Sequence, residues 1–578
     1  MITAISLFLA STLAHSHGHF YEKTGAADAT DLASASFFVR LPEGAADDCD
    51  STLNDIADPK STRYGKWLSF EEVGSRFGGD VAHLKPVLMA LHEAGFGEDE
   101  VFVTPNREIV SVSGHVAKFE QLLAEEGVRF HSFALKEDPT VVKVMPETAF
   151  TSRHLSSTGL GAHIDGVSGL ALPEPASLRA PFISAVDAET GAKRQQPSPK
   201  STPSLLQQYY GVSPSTVASQ DATQAIFASL SQSFDPTDLS TFQSQFSTPN
   251  NPIQVTVGTN DPSACASNPD TCTEASLDVQ QITSNGANTT FWSVQASDDL
   301  FVDWITAVAA LPNPPLVHSV SYGSSAKEDP KNDMTRFNTE VCKITARGIT
   351  VLVSSGDDGA AGSDARQDPS TACASTDPSY PATSPYVTAV GATQGPESGS
   401  TEVVCQSDNG AVITSGGGFS NVFSTPQWQS SAVSAYLSAL SGMSGAIPSS
   451  YYNPQGRMYP DVAMEGTSFP VVVGGQTYNV AGTSASSPYF ASLVTLVNGQ
   501  RLAAGKTPVG FLNPFIYQNA GDSSIFNDVT SGVNRCSAGP SPNYNCCPYG
   551  FNATQGADAA SGVGSVHFAG FAAALMNI

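Results

Sequence analysis

The sequence is short of positive charge: across 578 residues, 27 Lys and Arg stand against 54 Asp and Glu, a formal net charge of −27. A chain this poor in cations lacks the basic surface that nucleic-acid binding requires, so we expect no nucleic-acid partner. It also has no run of about 18 apolar residues, so we expect no membrane-spanning helix. With 40% hydrophobic and 14% charged residues, the composition is typical of a globular protein.

Acidic residues are in excess on both sides of Lys200. Up to that residue 17 basic and 27 acidic residues give −10, and the remaining 378 residues hold 10 basic and 27 acidic, giving −17. Two interpretations stay open. The excess is either a solubility device or a feature of a protein that works in acid, where protonated carboxylates no longer repel one another.

Paired CxxC motifs are missing and His is scarce, so a zinc site is not expected. Cys49 is alone in the first 200 residues, and eight Cys follow at 265, 272, 342, 373, 405, 536, 546 and 547. This even number predicts up to four disulfides in an oxidising compartment. Cys265 and Cys272 are close enough in sequence to pin the loop that leads to residue 274.

Several segments are typical of a secreted protein. Residues 1–14, MITAISLFLASTLA, are apolar and end in small residues, as a signal peptide does, although basic side chains are missing from its start. Sequons at Asn288 and Asn552 predict glycosylation. We therefore expect a secreted, extracellular glycoprotein that is a monomer.

The pattern of apolar residues divides the rest of the chain. Residues 20 to about 165 mix strand-like and helical runs and predict a compact α+β unit. Residues 170–203 are rich in Pro and Ser, contain the dibasic Lys193-Arg194, and predict a linker open to cleavage. Beyond it, strands at 315–323, 348–359 and 385–393 alternate with helical segments such as 334–348, which predicts a parallel sheet with helices on its faces.

The segment AGTSASSPYFASLVTLVNGQ, 481–500, contains a candidate nucleophile. Its apolar spacing predicts a helix that begins near Ser486 with Pro488 in the first turn. Ser484 would then lie at the helix N-terminus, where free N–H groups stabilise an oxyanion. A serine that merely caps the helix is the alternative. A lipase or esterase is disfavoured because Ser484 lacks the GxSxG elbow.

A serine nucleophile needs a base, and the usual base is His. After residue 200 the chain has His318 and His567, and we interpret both as structural. Glu274 and Asp278, four residues apart on a predicted helix, are the alternative base. Like charges at this spacing destabilise a helix, so local stability does not explain the pair. Two adjacent carboxylates share a proton, which raises one pKa and suits acid–base chemistry.

Four motifs in order, TEASLDVQ, SSGDDG, SGGGFS and AGTSASSP, resemble the sedolisins, the serine-carboxyl peptidases. Residues 58–73 are similar to the start of that family's inhibitory propeptide of the pro-kumamolisin type. The resemblance implies a subtilisin-like α/β fold after an α+β propeptide domain. It also implies Ser484 as nucleophile, Glu274 as base and then acid, Asp278 as the group that orients Glu274, and Asp357 as oxyanion donor. Asp461 belongs to the same pattern, and we interpret it as structural.

The resemblance further implies one structural Ca²⁺. Its ligands would be the side chains of Asp528 and Asp558 and the backbone carbonyls of Val529, Thr554 and Gly556, an oxygen shell that Ca²⁺ prefers. The chain departs from the family here. Ala557 and Ala559 stand where the family has Trp and Pro, and an insert carries Cys536, Cys546 and Cys547.

The domain organisation expected on this basis is a signal peptide at 1–14, an inhibitory propeptide at 15–168, a linker with the maturation site at 169–203 and a peptidase domain at 204–578. The expected activity is that of a secreted acid peptidase made as a zymogen, with peptide substrates and its own propeptide as inhibitor. Release of tripeptides from free N-termini is expected, and an acidic endopeptidase is the alternative. From another class, the alternative is an inactive homologue that acts as a binding protein.

Overall fold

A computed structural model describes residues 21–136, 139–140, 142–148, 150, 159–170, 200–213, 216, 218–294, 300–327, 331–443 and 445–578. The predicted signal peptide and the dibasic site lie outside these residues. Residues 21–170 form an N-terminal unit and residues 200–578 a C-terminal unit. No helix in the described ranges is both long and apolar enough to span a bilayer.

In its described residues the N-terminal unit has two antiparallel sheets and four α-helices, as the mixed pattern predicted. One sheet has the order β1-β5-β6 and the other β3-β4-β2-β7. The strands are β1 Tyr21–Ala26, β2 Leu32–Val39, β3 Val101–Val103, β4 Ile109–His115, β5 Phe130–Leu135, β6 Val142–Pro146 and β7 Ile164–Ser168. The helices are Ala45–Ile56, Phe70–Arg76, Val81–Glu93 and Val116–Leu122.

The C-terminal unit is organised around an eight-stranded sheet of order β16-β15-β13-β11-β8-β10-β9, with β19 paired to β15. Every pairing in it is parallel except β15 with β16. Its strands are β8 Thr223–Ala228, β9 Val255–Val257, β10 Asn288–Ser293, β11 Val317–Val320, β13 Thr350–Ser354, β15 Thr388–Gln394, β16 Val403–Val404 and β19 Val462–Glu465. The predicted parallel sheet is confirmed.

Eight further strands of the described residues form two-stranded ribbons. They are β12 Ser324–Ser325, β14 Ser379–Tyr380, β17 Gly418–Ser424, β18 Gly456–Tyr459, β20 Phe469–Val473, β21 Gln476–Val480, β22 Phe526–Asn527 and β23 Ser565–Val566. The α-helices are Pro203–Tyr210, Pro236–Gln245, Thr273–Ile282, Leu300–Ala309, Lys331–Thr345, Pro369–Ala372, Ser430–Ser441, Thr483–Ala503, Asn513–Gln518 and Phe568–Met576.

Helices cover both faces of the large sheet because its strands are apolar on both sides. Ile226 packs into one hydrophobic cluster with helices 273–282 and 483–503. The next residue, Phe227, packs into a second cluster with helices 300–309 and 331–345. Successive side chains of a strand point to opposite faces, so each strand contributes to both cores.

Several parts of the N-terminal unit contact the C-terminal unit, among them Trp67 and Cys49. The Trp67 indole N–H donates to the Pro508 carbonyl oxygen at 2.9 Å. Its ring fills space beside Gly348 and Gly510, where an added Cβ would lie 2.5 and 2.3 Å from ring atoms. Both glycines also have positive φ, so they are required for this contact.

The second docking element is a disulfide between Cys49 and Cys342. The others are Cys265–Cys272, Cys373–Cys547 and Cys536–Cys546, and Cys405 is a buried free thiol. The expected number of four is confirmed. Pairing restricted to the eight cysteines after residue 200 is wrong, because the fold brings Cys342 to the N-terminal unit and leaves Cys405 in a separate apolar cluster.

Candidate active site

Ser484 is the second residue of helix 483–503, which begins three residues earlier than predicted. Asp357 Oδ1 accepts both the Thr483 backbone N–H (2.8 Å) and its hydroxyl (2.9 Å), and this contact brings Thr483 into the helix. Pro488 consequently lies inside the helix and not in its first turn. The capping interpretation is excluded, since the N-cap is Gly482 and Ser484 Oγ donates to the Ser321 carbonyl oxygen at 3.2 Å.

Glu274 and Asp278 lie one turn apart on helix 273–282, which packs against helix 483–503. Both carboxylates are fully buried. The Cys265–Cys272 disulfide closes the loop just before this helix, as the sequence suggested. Within the described residues the Glu274 oxygens accept no hydrogen bond of full geometry, although the Ser484 hydroxyl is near enough to favour the ionised form. The structure therefore brings the three predicted residues together.

The electrostatics of the pair suit proton transfer. Burial raises the pKa of Glu274 well above its ordinary value, and the charges of Asp278 and Asp357 raise it further. Burial also raises the pKa of Asp278, while the Ser321 hydroxyl opposes this shift by donating to Oδ1 at 2.6 Å. Two such carboxyls titrate as a unit, so one proton can be held between them.

Asp357 follows β13 and lies near enough to Glu274 for its charge to act on that carboxyl. Burial raises its pKa, against the two hydrogen bonds from Thr483. Oδ2 is buried and has no hydrogen-bond partner in the described part of the chain. Asp357 and Ser484 line one cavity at the carboxyl ends of β11 and β13. A proton on Oδ2 would be free to donate to an oxyanion formed there.

Neither histidine of the C-terminal unit lines this cavity. His318 lies in β11, is packed beside Trp304, and shares a hydrogen bond with the Pro315 carbonyl oxygen at 3.0 Å. Burial lowers its pKa to about 4, so it stays neutral over most of the pH range. His567 is the exposed N-cap residue of helix 568–576. The structural interpretation of His318 agrees with this environment.

The cavity around Ser484 is bordered by Gly323 of the SYG segment and by the Asp358–Arg366 ion pair, whose two contacts are 2.6 and 2.7 Å. A Cβ on Gly416 would lie 2.3 Å from the Ser355 carbonyl oxygen, so this glycine supports the turn that carries Asp357.

Asp461 is buried and holds strands together, as expected. Arg457 forms an ion pair with it, the Ala389 N–H donates to it at 2.7 Å, and the Tyr517 hydroxyl donates at 3.0 Å.

The predicted calcium ligands come together beside the β22–β23 ribbon. Asp528 Oδ2 accepts the Gly556 N–H at 2.9 Å, and Asp528 Oδ1 is buried without a hydrogen-bond partner among the described residues. Asp558 is fully buried, and its Oδ2 accepts the Thr554 N–H at 2.9 Å. An unsatisfied carboxylate oxygen in an all-oxygen donor set fits a hard cation.

Two contacts of the site were missed by the sequence interpretation. Thr483 was part of the GTS motif, but its role in holding Asp357 needed the three-dimensional contact. Gln232 Oε1 accepts the Glu274 backbone N–H at 3.1 Å, and nothing in its local sequence marks it.

A subtilisin-like sheet with a serine on the central helix, preceded by a separate α+β unit, defines a serine-type peptidase made as a zymogen. Residues 21–171 match the family model described as Pro-kumamolisin, activation domain, and residues 255–508 match the Subtilase family. Tripeptidyl-peptidase 1 of Rattus norvegicus is 32% identical over 551 residues, covering 90% of this chain and 88% of that protein. The Homo sapiens protein of the same name is 31% identical over 537 residues, covering 88% and 86%.

The chain belongs to the sedolisin family. A solved structure of Pseudomonas sedolisin complexed with two molecules of pseudo-iodotyrostatin is similar at 24% identity and a TM-score of 0.49, covering 66% of this chain and 99% of that one. The predicted family and enzyme class are confirmed.

Proposed function

We propose that the chain is a secreted acid peptidase that releases tripeptides from free N-termini through an acyl-enzyme on Ser484. The observation that carries this proposal is the buried Glu274–Asp278 pair beside Ser484, where a histidine base would otherwise be needed. The relatives named tripeptidyl-peptidase 1 support the exopeptidase assignment. An endopeptidase of the same family is the second candidate.

In the proposed reaction Glu274 takes the Ser484 hydroxyl proton as Oγ attacks the scissile carbonyl carbon. Asp357 donates its Oδ2 proton as a hydrogen bond to the resulting oxyanion. When the tetrahedral intermediate collapses, Glu274 returns the proton to the leaving amine. A water, deprotonated by Glu274, then attacks the acyl carbon, the bond to Ser484 Oγ breaks, and Glu274 returns the proton to Oγ. Asp278 shares its negative charge with Glu274 and so raises the basicity of that carboxylate.

The test uses one peptide with a free N-terminus and its N-acetylated copy, incubated with the protein at acid pH and analysed by mass spectrometry. Tripeptides from the free peptide alone support the exopeptidase, and internal cuts in both copies support the endopeptidase. Ser484→Ala is the control and should be inactive on both. If wild type and Ser484→Ala are equally inactive on a range of peptides, a binding protein becomes the better hypothesis.

We also propose that cleavage between about residues 186 and 203 matures the enzyme and that the N-terminal unit inhibits it until then. Most of this segment lies outside the described residues. Acidification should convert the chain of 60.1 kDa to a smaller peptidase form on a reducing gel. Ser484→Ala should block the conversion if the cut is made by the enzyme itself. Unchanged processing of that variant would indicate another protease, such as one that recognises Lys193-Arg194.

The calcium proposal assigns one structural ion to Asp528, Asp558 and the carbonyls of Val529, Thr554 and Gly556. An ion bound by the folded state alone stabilises it, by about 2.7 kcal/mol at a concentration one hundred times Kd. A chelator should therefore lower the melting temperature of wild type but not that of Asp528→Asn. An unchanged wild-type value, with metal absent from the purified protein, would contradict the proposal.

A further inference from the structure

Ser321 contacts both the carboxylate pair and the nucleophile Ser484. It follows β11 directly and is 2% exposed. Its Oγ donates to Asp278 Oδ1 at 2.6 Å, and its backbone carbonyl oxygen accepts from Ser484 Oγ at 3.2 Å. No other contact described above joins one residue to both the carboxylate pair and the nucleophile.

The position of this hydroxyl is linked to Pro488. In an α-helix the carbonyl of Ser484 would accept the N–H of residue 488, but proline has none. Ser321 Oγ lies 3.4 Å from that carbonyl oxygen, in the gap that the missing N–H leaves. Its single hydrogen points to the nearer acceptor, so the short bond goes to Asp278 and the carbonyl receives the weaker contact.

The charges around Asp278 make this donor important. Glu274 faces it from the same helix, and Asp357 acts on Glu274 from the loop after β13. The Tyr322 phenol lies near both carboxylates, which raise its pKa further beyond the effect of burial. Within the described chain Asp278 Oδ2 accepts no hydrogen bond. The Ser321 hydroxyl is therefore the donor that favours the ionised form of Asp278.

We propose that Ser321 is a positioning residue that fixes Asp278 and sets the pH range in which the carboxylate pair shares its proton. The inference rests on the proposed peptidase function. Without the Ser321 hydroxyl, ionised Asp278 loses its hydrogen-bond donor, so both steps of the pair's titration move to higher pH.

The first test is Ser321→Ala, with kcat and KM measured across the active pH range. We expect kcat to fall roughly ten- to a hundredfold, because a hydrogen bond to a charged group is lost. KM should change little, and both limbs of the pH profile should move to higher pH. Ser321→Cys keeps the size of the side chain with a weaker donor, so its profile should lie between those of wild type and Ser321→Ala.

Ser319 offers a matched control on the same strand. Its Oγ lies 3.0 Å from Ser487 Oγ, between the same strand and the same helix, and both residues are fully buried. Ser319→Ala should lower the melting temperature without moving the pH profile. The proposal is overturned if Ser321→Ala keeps the wild-type profile or if Ser319→Ala shifts it equally. If Ser321→Ala does not mature, an unshifted Ser321→Cys profile overturns it.

These outcomes are distinct from a failure of the proposed function. That failure would show as a wild type no more active than Ser484→Ala, whereas the Ser321 proposal is judged by differences among active variants.

A second inference comes from the disulfide between the two units. Cys49 lies in helix 45–56 of the N-terminal unit and Cys342 in helix 331–345 of the C-terminal unit, 293 residues apart in sequence. Both are buried, at 0% and 1% exposure. The segment in which we propose maturation lies between them. A cut there breaks the chain but leaves the disulfide in place.

We infer that maturation gives a two-chain product in which the N-terminal unit stays covalently attached. A tethered inhibitor rebinds at an effective concentration set by the tether, on the order of millimolar for short flexible links. Complete separation then needs a second cut in the N-terminal unit or exchange with a dithiol reductant. In that exchange Cys49 and Cys342 are reduced to thiols and the reductant is oxidised to its own disulfide.

The test compares the acid-processed protein on reducing and non-reducing gels. Wild type should give one band without reductant and two with it. Cys49→Ser should give two bands in both, whereas Cys373→Ser, which breaks a disulfide inside the C-terminal unit, should behave like wild type. Two bands from non-reduced wild type would overturn the inference.

Peptide mapping of the uncut chain tests the link whether or not maturation occurs. Without reduction, a cross-linked peptide containing Cys49 and Cys342 is expected. Alkylation of both as free thiols would refute the tether and leave the proposed function untouched.

Discussion

Among the buried acidic side chains of the described residues, two pairs are stabilised in different ways. Glu274 and Asp278 lie in the active site with hydroxyl groups as their nearest polar neighbours. Glu108 of the N-terminal unit and Glu340 of helix 331–345 lie at the interface between the units. All four side chains are buried, so burial alone does not distinguish the pairs.

The Glu108–Glu340 pair differs from the active-site pair because cationic side chains lie beside it. Lys343 Nζ lies 2.8 Å from Glu108 and 2.9 Å from Glu340, and Arg336 Nε lies 2.9 Å from Glu340. Burial raises the pKa of Glu108 to about 8, with the charge of Glu340 adding to the shift. Burial also acts to raise the pKa of Glu340, but Lys343 and Arg336 overcome it and lower that pKa to about 2.

At the interface the proton therefore stays on Glu108. In the active site Glu274 and Asp278 share one. Between the cations one carboxyl is protonated and the other ionised over a wide pH range. Without cations, both pKa values of the active-site pair rise, and the proton can pass to substrate and back.

The largest effect should come from Glu274→Gln, which removes the base and keeps its shape. We expect a loss of about 10²- to 10⁴-fold in kcat, the usual contribution of a positioned acid–base group. Thermal stability should be equal or higher, because a buried carboxylate without a partner is replaced by a neutral amide. Steady-state kinetics and a melting curve on the same preparation check both parts. A large loss of stability would mean that the pair serves folding.

Glu340→Gln should show the opposite behaviour. It removes the carboxylate that pairs with both Arg336 and Lys343, and breaking a buried ion pair in this way costs about 3–5 kcal/mol. Denaturant unfolding of the uncut protein, in the Ser484→Ala background, measures the loss. Adding Lys343→Met should restore part of it. Equal stability of Glu340→Gln and its parent would contradict the ion-pair account.

The pH dependence of this effect has a definite sign. The folded pKa of Glu340 lies below its ordinary value of 4.5, so its stabilisation is present above pH 4.5 and is lost as pH falls towards 2. The difference between Glu340→Gln and its parent should narrow over that window.

Variants of Asp357 test whether this buried active-site carboxyl must be protonated for catalysis. Asp357→Ala should lose about 10²- to 10³-fold in kcat, the usual cost of an oxyanion donor. Asp357→Asn still donates a hydrogen bond and should retain more activity, with an alkaline limb that reports the Glu274–Asp278 pair alone. Peptide cleavage by Asp357→Ala at the wild-type rate would show that Asp357 is a turn residue.

Sequence patterns predicted the parts of this protein that depend on local spacing. The four-residue interval placed Glu274 and Asp278 on one helix, and apolar runs placed β11, β13 and β15 in a parallel sheet. The helix start was misplaced because Asp357, more than 120 residues earlier, holds Thr483 in the first turn. The sequence around Thr483 does not indicate such a contact.

The sequence also did not predict the contacts between the two units. Cys49 looked unpaired because its partner lies 293 residues away. The position of Glu108 at the interface likewise depends on contacts with helix 331–345. The contact of the Ser321 hydroxyl with Asp278 depends on how the end of β11 meets helix 273–282. Side chains that link distant elements are the features that sequence spacing does not specify.

Glu108→Gln should have the smallest effect on stability. It tests the role of Glu108 separately from that of Glu340, the other member of the interface pair. The folded pKa of Glu108, about 8, is above its ordinary value of 4.5, so its contribution to stability is complete below pH 4.5 and is lost as pH rises through 8. Glutamine mimics the protonated acid, and at pH 5 the stability of the uncut Ser484→Ala protein should change by about 1 kcal/mol or less.

The same variant shows whether this contact releases the N-terminal unit in acid. The melting temperature of the parent should decline between pH 5 and 8.5, and Glu108→Gln should lack part of that decline. The Glu108 contact thus tightens on acidification, so acid-driven release must depend on other groups. If Glu108→Gln at pH 5 weakens the protein as much as Glu340→Gln does, Glu108 is ionised at the interface and the contrast with the active-site pair fails.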